Sequence, residues 1–239
     1  MAAASRRGFF PGDEKDFAAA QLDKLKTAAA DFLYLSDRGY SPQGAAFLVG
    51  DRYQLTARQR TAVVRTVSPQ DALASRLAKQ LCGVSGLPGG EVHVDGFNAV
   101  IALEVALSGS PVFFCMDGTV RDLAGLRGTY RIIDKTYEAV RLLVGGLWEL
   151  GAAKAAVYLD APVSNSGRLK TLINETARTL GFPAEAQTVG GVDRLLGALP
   201  GVVTADSAVL DRCISWLNMG TGLVKAIPGV WLLDIRPDR

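Results

Sequence analysis

From residue 92 onward, short apolar runs alternate with longer segments whose apolar residues recur at helical spacing. This alternation is typical of a parallel sheet with helices on both faces. The predicted strands are 92–94, 112–116, 156–159, 187–189, 202–204 and 231–233, and the predicted helices are 97–107, 130–150, 166–180, 192–199 and 207–217. The pattern therefore predicts a three-layer α/β domain built on one parallel sheet.

The preceding part of the chain has a helical pattern. An alanine- and leucine-rich segment, 13–37, is followed by three residues that signal new helices: Ser41 before Pro42, Thr56, and Ser68 before Pro69. The segment 83–90, GVSGLPGG, has the glycine and proline content of a linker. We therefore predict a small all-helical domain over 1–82, a linker over 83–90 and the α/β domain over 91–239.

Composition favours a globular protein. The chain has 239 residues, of which 49% are apolar and 21% charged, so it can bury a large core. The longest apolar stretch, 142–159, is interrupted by Glu149 and Lys154, and no membrane span is expected. The N-terminal residues lack the apolar run of a secretion signal, so a cytoplasmic location is expected.

The chain has few cysteine and histidine residues that could support thiol or imidazole chemistry. Cys82, Cys115 and Cys213 lie far apart and form no CxxC pair. The single histidine, His93, lies between two valines on a predicted strand, where a buried structural imidazole is the commoner outcome. This composition disfavours a Ser-His or Cys-His mechanism and a zinc site, and any catalysis is expected to rest on carboxylates.

Positive charge is concentrated before the linker. Residues 1 to 90 hold 12 Lys and Arg against 8 Asp and Glu, and five arginines between 38 and 65 face one aspartate, Asp51. The five are Arg38, Arg52, Arg58, Arg60 and Arg65. Guanidinium groups bind phosphate in a bidentate way, so the patch is a candidate RNA-binding surface; a solvated helical face is the alternative.

Four aspartates directly follow predicted strands: Asp95 in HVDGFN, Asp117 in FFCMDG, Asp160 in VYLDAP and Asp206 in VVTADS. The carboxyl ends of parallel strands form the ligand-binding edge of an α/β sheet. Each acid taken singly is equally well explained as a helix cap or a turn residue. Together, however, they would repel one another by roughly 4 kcal/mol per close pair at an effective dielectric constant near 20. Mg²⁺ or Mn²⁺, which prefer oxygen ligands, would offset this repulsion.

Several polar residues are secondary candidates near this edge. Glu104, on the helix after the first strand, is the next candidate acid, and Asn98 lies one helical turn from Asp95. Candidate phosphate-binding groups are Arg121, Arg127, Arg131, Ser164, Ser166, Arg168 and Lys170. Ordinary solvated loop charge and helix capping explain these residues equally well.

The segments VDGFN, DAPVSNSGRLK and TADSAVLD resemble the PIN-like nuclease superfamily, in which acids follow successive parallel strands. The N-terminal segments DFLYLSDRGY and VGDRYQLTARQR are similar to a family known only as domain of unknown function 434. The resemblance implies a PIN-like fold with metal-binding acids at Asp95, Asp160 and Asp206, and Glu104 or Asp117 as the fourth. The second acid normally lies farther along the chain in PIN-like proteins, so the fourth position is open.

The predicted function is hydrolysis of RNA phosphodiester bonds by a water bound to Mg²⁺ or Mn²⁺. The alternative is a non-catalytic RNA-binding or interaction module, in which the acids are caps and the arginines bind RNA. RNA is the expected partner in both cases, a membrane is not, and a homo-oligomer is compatible with the sequence.

Overall fold

Five helices come first in the computed structural model, which describes residues 6–125 and 128–238. They are α1 (Asp13–Asp16), α2 (Ala19–Ser36), α3 (Pro42–Arg52), α4 (Ala57–Thr66) and α5 (Gln70–Ala78). The Ser41 side chain accepts a hydrogen bond from Gly44 N at the start of α3, and Thr56 with Gln59 forms a capping box at the start of α4. The helical N-terminal region is therefore as predicted, except that 13–37 is divided into two helices.

The strands come after these five helices, and the structure describes six further α-helices between them. The strands are β1 (Gln80–Leu81), β2 (Glu91–Asp95), β3 (Val112–Phe114), β4 (Val120–Asp122), β5 (Lys154–Asp160), β6 (Ala184–Val189), β7 (Val202–Val203), β8 (Trp216–Leu217) and β9 (Leu232–Leu233). The helices are α6 (Gly96–Leu107), α7 (Asp134–Glu149), α8 (Ser166–Leu180), α9 (Val192–Leu196), α10 (Ser207–Arg212) and α11 (Met219–Lys225). None of the described helices is long and apolar enough to cross a membrane.

The main sheet is six-stranded and parallel, in the order β1-β8-β7-β2-β5-β6. Alternate residues of β5 face opposite cores: Val157 and Leu159 pack on the side of α6, α7 and α8, whereas Ala156 and Tyr158 pack on the side of α9 and α10. Helices therefore cover both faces of the sheet, and the predicted three-layer α/β architecture is observed.

The prediction of a single sheet was wrong for β3 and β9. These strands pair in parallel with each other, and β3 also pairs antiparallel with β4 through a tight turn at Cys115–Thr119. Gly118, at φ 79°, supplies the left-handed conformation of that turn. The second sheet is thus built on a hairpin that the apolar pattern alone does not reveal. The end of the predicted helix 207–217 is likewise a strand, β8.

The N-terminal helices do not have a core of their own. Their buried residues share one apolar cluster with the second sheet, and the rings of Phe17 and Phe113 meet edge to face, with centroids 5.0 Å apart. β1, which lies inside the region predicted to be helical, joins the main sheet by pairing with β8. The two regions separated at the predicted linker therefore pack as one body.

A buried ion-pair network crosses this junction. Arg76 of α5 donates to Asp117 Oδ2 at 2.9 Å and to Asp211 Oδ1 at 2.6 Å, and Arg121 of β4 also pairs with Asp117. Burial by itself would raise the pKa of Asp117, but Arg121, with Thr119 and Arg76, more than offsets this and holds the pKa below its ordinary value. Asp117 is therefore an ionised structural group at the centre of the network.

We expect Asp117→Ala to lower the free energy of unfolding by about 3–5 kcal/mol, because two buried guanidinium groups lose their shared carboxylate. Urea unfolding followed by circular dichroism measures the change. The control is Asp238→Ala, which breaks the exposed pair with Lys26 and should leave stability unchanged within error. Equal, small effects of the two substitutions would show that the network does not stabilise the junction.

Candidate functional site

Four aspartates lie beyond the carboxyl ends of four adjacent strands of the main sheet. In sheet order they are Asp206 after β7, Asp95 at the end of β2, Asp160 at the end of β5 and Asp193 after β6. The register places Asp95 beside Tyr158, so Asp160 lies two residues farther along the neighbouring strand. The sequence predicts three of the four at this edge, because the carboxyl ends of parallel strands lie on the same side of a sheet.

Asp95 is the most buried of the four, with 7% of its surface exposed. Its Oδ1 accepts a hydrogen bond from Asn98 N at 3.2 Å, which caps α6, and its Oδ2 accepts one from Thr204 Oγ1 at 2.9 Å. Thr204 Oγ1 in turn accepts from Asp206 N at 3.0 Å. A chain of hydrogen bonds thus connects the end of β2 to the loop after β7.

Asp206 and Asp160 also bind helix N-termini, each through its Oδ1. Asp206 accepts from Ala208 N at 2.7 Å and Val209 N at 3.3 Å, and Asp160 accepts from Val192 N at 3.3 Å. Among the described residues, no hydrogen-bond donor and no salt-bridge partner reaches the Oδ2 atom of either side chain. Each carboxylate therefore keeps one oxygen without a protein partner in the part of the chain that the structure covers.

The carboxylates of this edge influence one another. Burial raises the pKa of Asp95 to about 7, against the opposing hydrogen bonds from Thr204 and Asn98, and the charges of Asp206 and Asp193 raise it further. Burial also raises the pKa of Asp193, with added repulsion from Asp206 and Asp160. Near neutral pH Asp95 therefore holds a proton in part of the molecules, chiefly because it is buried, and this proton also reduces the repulsion from Asp206 and Asp193.

The arrangement is not a closed metal site as it stands. Within residues 6–125 and 128–238, no three His, Cys, Asp or Glu side chains are grouped so that they could hold a metal ion. The expectation of a pocket already gathered tightly around a cation is therefore not met. The physical reason is that three of the carboxylates turn toward the amides of α6, α9 and α10. Cation binding at this edge would require these side chains to rotate.

The structure does not bring Asp117 or Glu104 to the strand-end group as available ligands. Asp117 is held by Arg76 and Arg121 in the buried network. Glu104 is completely buried, pairs with Arg7 and accepts hydrogen bonds from Tyr130 Oη, at 2.7 Å, and from Thr136. Both carboxylates have basic partners that neutralise them, so the prediction of a fourth catalytic or metal-binding acid at either position was wrong.

Among the predicted substrate-binding residues of the α/β region, Asn98 lies within the site. Its Oδ1 accepts from Ala205 N at 2.8 Å, which fixes the loop that carries Asp206. Arg121 is 9% exposed and donates to Ala205 O at 2.6 Å, so it positions that loop from within the core instead of binding solvent-exposed phosphate. This corrects its predicted role.

The turn before α8 is engaged in internal hydrogen bonds. Ser164 Oγ accepts from Tyr130 N at 2.8 Å and donates to Tyr130 O at 2.9 Å, and Ser166 is buried with its Oγ 3.4 Å from Ala161 O. Arg168 is exposed and Lys170 is half-buried on α8, and Arg131 is exposed. Arg127 lies outside the described residues. The serines thus hold the turn together, whereas the basic residues of α8 stay accessible.

The arginine patch of the helical region is divided in the structure. Arg58 donates to both carboxylate oxygens of Asp13, and Arg60 donates to Asp51 Oδ1 at 2.8 Å. Both also bind backbone carbonyls, so they are structural and not the predicted RNA ligands. Arg52 is exposed at 3.7 Å from an Asp31 carboxylate oxygen, and Arg38 is exposed. The accessible part of the patch is therefore smaller than predicted.

A cleft of about 600 Å³ is lined by one of the four strand-end aspartates, Asp206. Asn98 and Asp206 line one part of it, Arg65 and Arg121 another, and the α2–α3 turn with Tyr40 a third. It lies between the N-terminal helices and the α/β region. The Asp206 side of the site is thus continuous with a cleft that the N-terminal helices help to form.

Sequence reasoning missed Asp193. The rule applied was that an acid should directly follow a strand, whereas Asp193 is separated from Val189 by Gly190 and Gly191. The segment TVGGVD contains the signal, because two glycines after a strand allow a tight turn into a helix whose first residues return to the sheet edge. A search window of four residues after each strand would have found it.

Two protein families match this chain, one over the helical N-terminal region and the other over the α/β region. Residues 84–221 match the family described as Domain of unknown function (DUF5616), and residues 24–79 match Protein of unknown function (DUF434). An uncharacterised protein of Methanocaldococcus jannaschii is 31% identical over 186 residues, which cover 78% of this chain and 88% of that protein. No solved structure matches the chain. The predicted relationship of the N-terminal helices is confirmed.

Asp95→Asn tests the electrostatics of the site. A carboxyl whose folded pKa of about 7 exceeds its ordinary 3.8 destabilises the fold progressively as pH rises from about 4 to 7. The asparagine variant lacks this penalty, so its stability relative to the parent protein should rise by up to about 4 kcal/mol between pH 4 and pH 8. Urea unfolding at several pH values measures it. Asp23→Asn, exposed on α2, is the control and should follow the parent profile; parallel profiles for Asp95→Asn would refute the raised pKa.

Proposed function

The chain belongs to the family described as Domain of unknown function (DUF5616), and we propose that it is a ribonuclease that hydrolyses RNA phosphodiester bonds with Mg²⁺ or Mn²⁺. The observation that supports this proposal is the row of Asp206, Asp95, Asp160 and Asp193 across four adjacent strand ends. Burial raises the pKa of Asp95 to about 7, and the charges of Asp206 and Asp193 raise it further. The proposed PIN-like identity of the domain rests on the same order of acids along an alternating strand and helix pattern.

The chemistry of the donor set favours a hard cation. All four candidate ligands are carboxylates, and Asp160 and Asp206 each have an oxygen with no partner among the described residues. Mg²⁺ and Mn²⁺ bind through a few carboxylates and complete their coordination with water. Asp95 would lose its proton when a cation arrives, because the positive charge then replaces the proton in relieving the repulsion.

Each residue of the proposed site has a distinct task. Asp95, Asp160 and Asp206 would hold the cation, which supplies an activated water and stabilises the charge of the phosphorane transition state. Thr204 links Asp95 to the Asp206 loop, and Asn98 with Arg121 fixes that loop through Ala205. Asp193, exposed at the start of α9, would complete the negative edge. Arg168 and Lys170 remain proposed contacts for RNA phosphates.

A non-catalytic RNA-binding module is the second candidate. It is favoured by the capping bonds of Asp95, Asp160 and Asp206 and by the lack, among the described residues, of a group already arranged to hold a metal. On this interpretation the acids only begin helices, and the accessible arginines bind RNA. This candidate predicts binding without metal dependence.

Cleavage of a labelled oligoribonucleotide separates the two candidates. We expect turnover in Mn²⁺ or Mg²⁺ and none in EDTA. Asp160→Asn and Asp206→Asn should each lower kcat by about two orders of magnitude or more, because each removes a charged metal ligand while the amide still caps its helix. Gel-resolved product formation over time measures kcat.

Asp71→Asn, an exposed aspartate in the first turn of α5, is the matched control and should retain the parent rate. Cleavage that persists in EDTA, or that is equal in the parent protein and in Asp160→Asn, would exclude the proposed mechanism. RNA binding without cleavage under any metal condition would favour the binding module.

A further inference from the structure

The cleft beside Asp206 continues onto an aromatic and basic surface of the N-terminal helices. We propose that this surface binds the unpaired part of the RNA substrate, with bases stacked on Tyr40 and Tyr34 and phosphates held by Arg65 and Arg38. The inference rests on the proposed function, because it takes the strand bound there to be the one whose phosphodiester lies at the aspartates.

Continuity with the site is the first argument. Tyr40, Arg65 and Asp206 line one cleft of about 600 Å³, so a chain that has a phosphate at Asp206 can contact Arg65 and Tyr40 within the same cleft. Ser36, at the C-terminal end of α2, also lines the cleft, whereas Tyr34 and Arg38 lie outside it on the exposed surface at that end of the helix. The path therefore leads onto the end of α2.

The exposure of the two tyrosines is the second argument. Tyr34 is 55% exposed and Tyr40 is 50% exposed, whereas Tyr130, near the strand-end edge, is buried. The guanidinium of Arg38 packs on the ring of Tyr34, with its Cζ 3.4 Å from the ring centroid. Exposed aromatic rings with adjacent arginines bind single strands by stacking on the faces of unpaired bases.

The distribution of ion pairs is the third argument. Arg76 and Arg121 also line the cleft, but both form ion pairs with Asp117. Arg38 has no acidic partner within 4.0 Å among the described residues. The Arg65 side chain is 38% exposed, and its Nη1 lies 3.9 Å from Asp122 Oδ1. Arg38 and Arg65 are therefore the basic groups along this path whose charge is least neutralised by the protein, which suits them to phosphate.

An unpaired strand fits this surface better than a duplex does. Base pairing hides the faces and edges that Tyr34 and Tyr40 would contact, and stacking on a side chain requires a base that is splayed out of its helix. Phosphates are equally present in single and double strands. The tyrosines, and not the arginines, should therefore decide between the two.

The test uses the full-length Asp160→Asn protein, so that binding is measured without cleavage. Fluorescence anisotropy with a labelled single-stranded 12-mer RNA should show that adding Tyr40→Leu weakens binding about tenfold. Adding Arg38→Gln should weaken binding and lower the slope of log K against log salt by about 0.7. The same sequence as a blunt duplex should bind more weakly, and Tyr40→Leu should leave duplex binding unchanged.

Tyr137→Leu is the matched control, because Tyr137 is 61% exposed on α7 and does not line the cleft. Arg65→Gln adds a second position on the path, and circular dichroism reports whether each variant is folded. Unchanged single-strand affinity in Tyr40→Leu and Arg38→Gln, or equal loss in Tyr137→Leu, would overturn the inference. Tighter binding to duplex than to single strand would also overturn it.

Failure of the binding surface and failure of the ribonuclease proposal give different experimental results. Metal-dependent cleavage by the protein carrying only Tyr40→Leu, with unchanged KM, would contradict the binding surface and leave the ribonuclease proposal intact. Single-strand binding that depends on Tyr40, in a protein that never cleaves RNA, would support the surface and contradict the ribonuclease proposal.

Discussion

Negative charge at one edge of a parallel sheet is the constraint on which the interpretation of this protein depends. Residues that follow parallel strands lie at the same edge of the sheet, and here four aspartates lie at the ends of β7, β2, β5 and β6. Helix amides and one threonine hydroxyl stabilise three of these carboxylates, but no salt bridge from a described residue neutralises any of the four. The burial of Asp95 among them raises its pKa to about 7. Near neutral pH a proton on Asp95 reduces the negative charge at this edge, and a divalent cation would neutralise more of that charge.

A buried aspartate behaves in the opposite way at the junction between the N-terminal helices and the second sheet. Asp117 is fully buried, yet two arginines hold its pKa below the ordinary value. A buried carboxylate with basic partners stabilises a fold only if it stays ionised. A carboxylate without them is unstable when charged, and such groups gather at functional sites. This contrast, and not the presence of acids as such, distinguishes the candidate site from the structural network.

Local pattern was sufficient for the elements that carry the site. The helix at 166–180 and the strand ends at Asp95, Asp160 and Asp206 follow from apolar runs, helix caps and the geometry of parallel sheets. The separate sheet of β3, β4 and β9 did not follow, since β3 pairs with β9 far along the chain and with β4 through a tight turn that the apolar pattern does not mark. Glu104 and Asp117 were assigned wrongly for the same reason: their basic partners, Arg7 and Arg76, lie in the N-terminal region. Side-chain pairing between distant segments is invisible in a local pattern.

Crystals grown at pH 8 with Mn²⁺ test the central claim most directly, by the anomalous scattering of manganese. The account predicts an anomalous peak between the carboxylates of Asp95, Asp160 and Asp206, with their oxygens rotated away from the helix amides to coordinate the ion. A crystal that contains Mn²⁺ but shows no peak at this edge, with the three carboxylates still capping their helices, would contradict it.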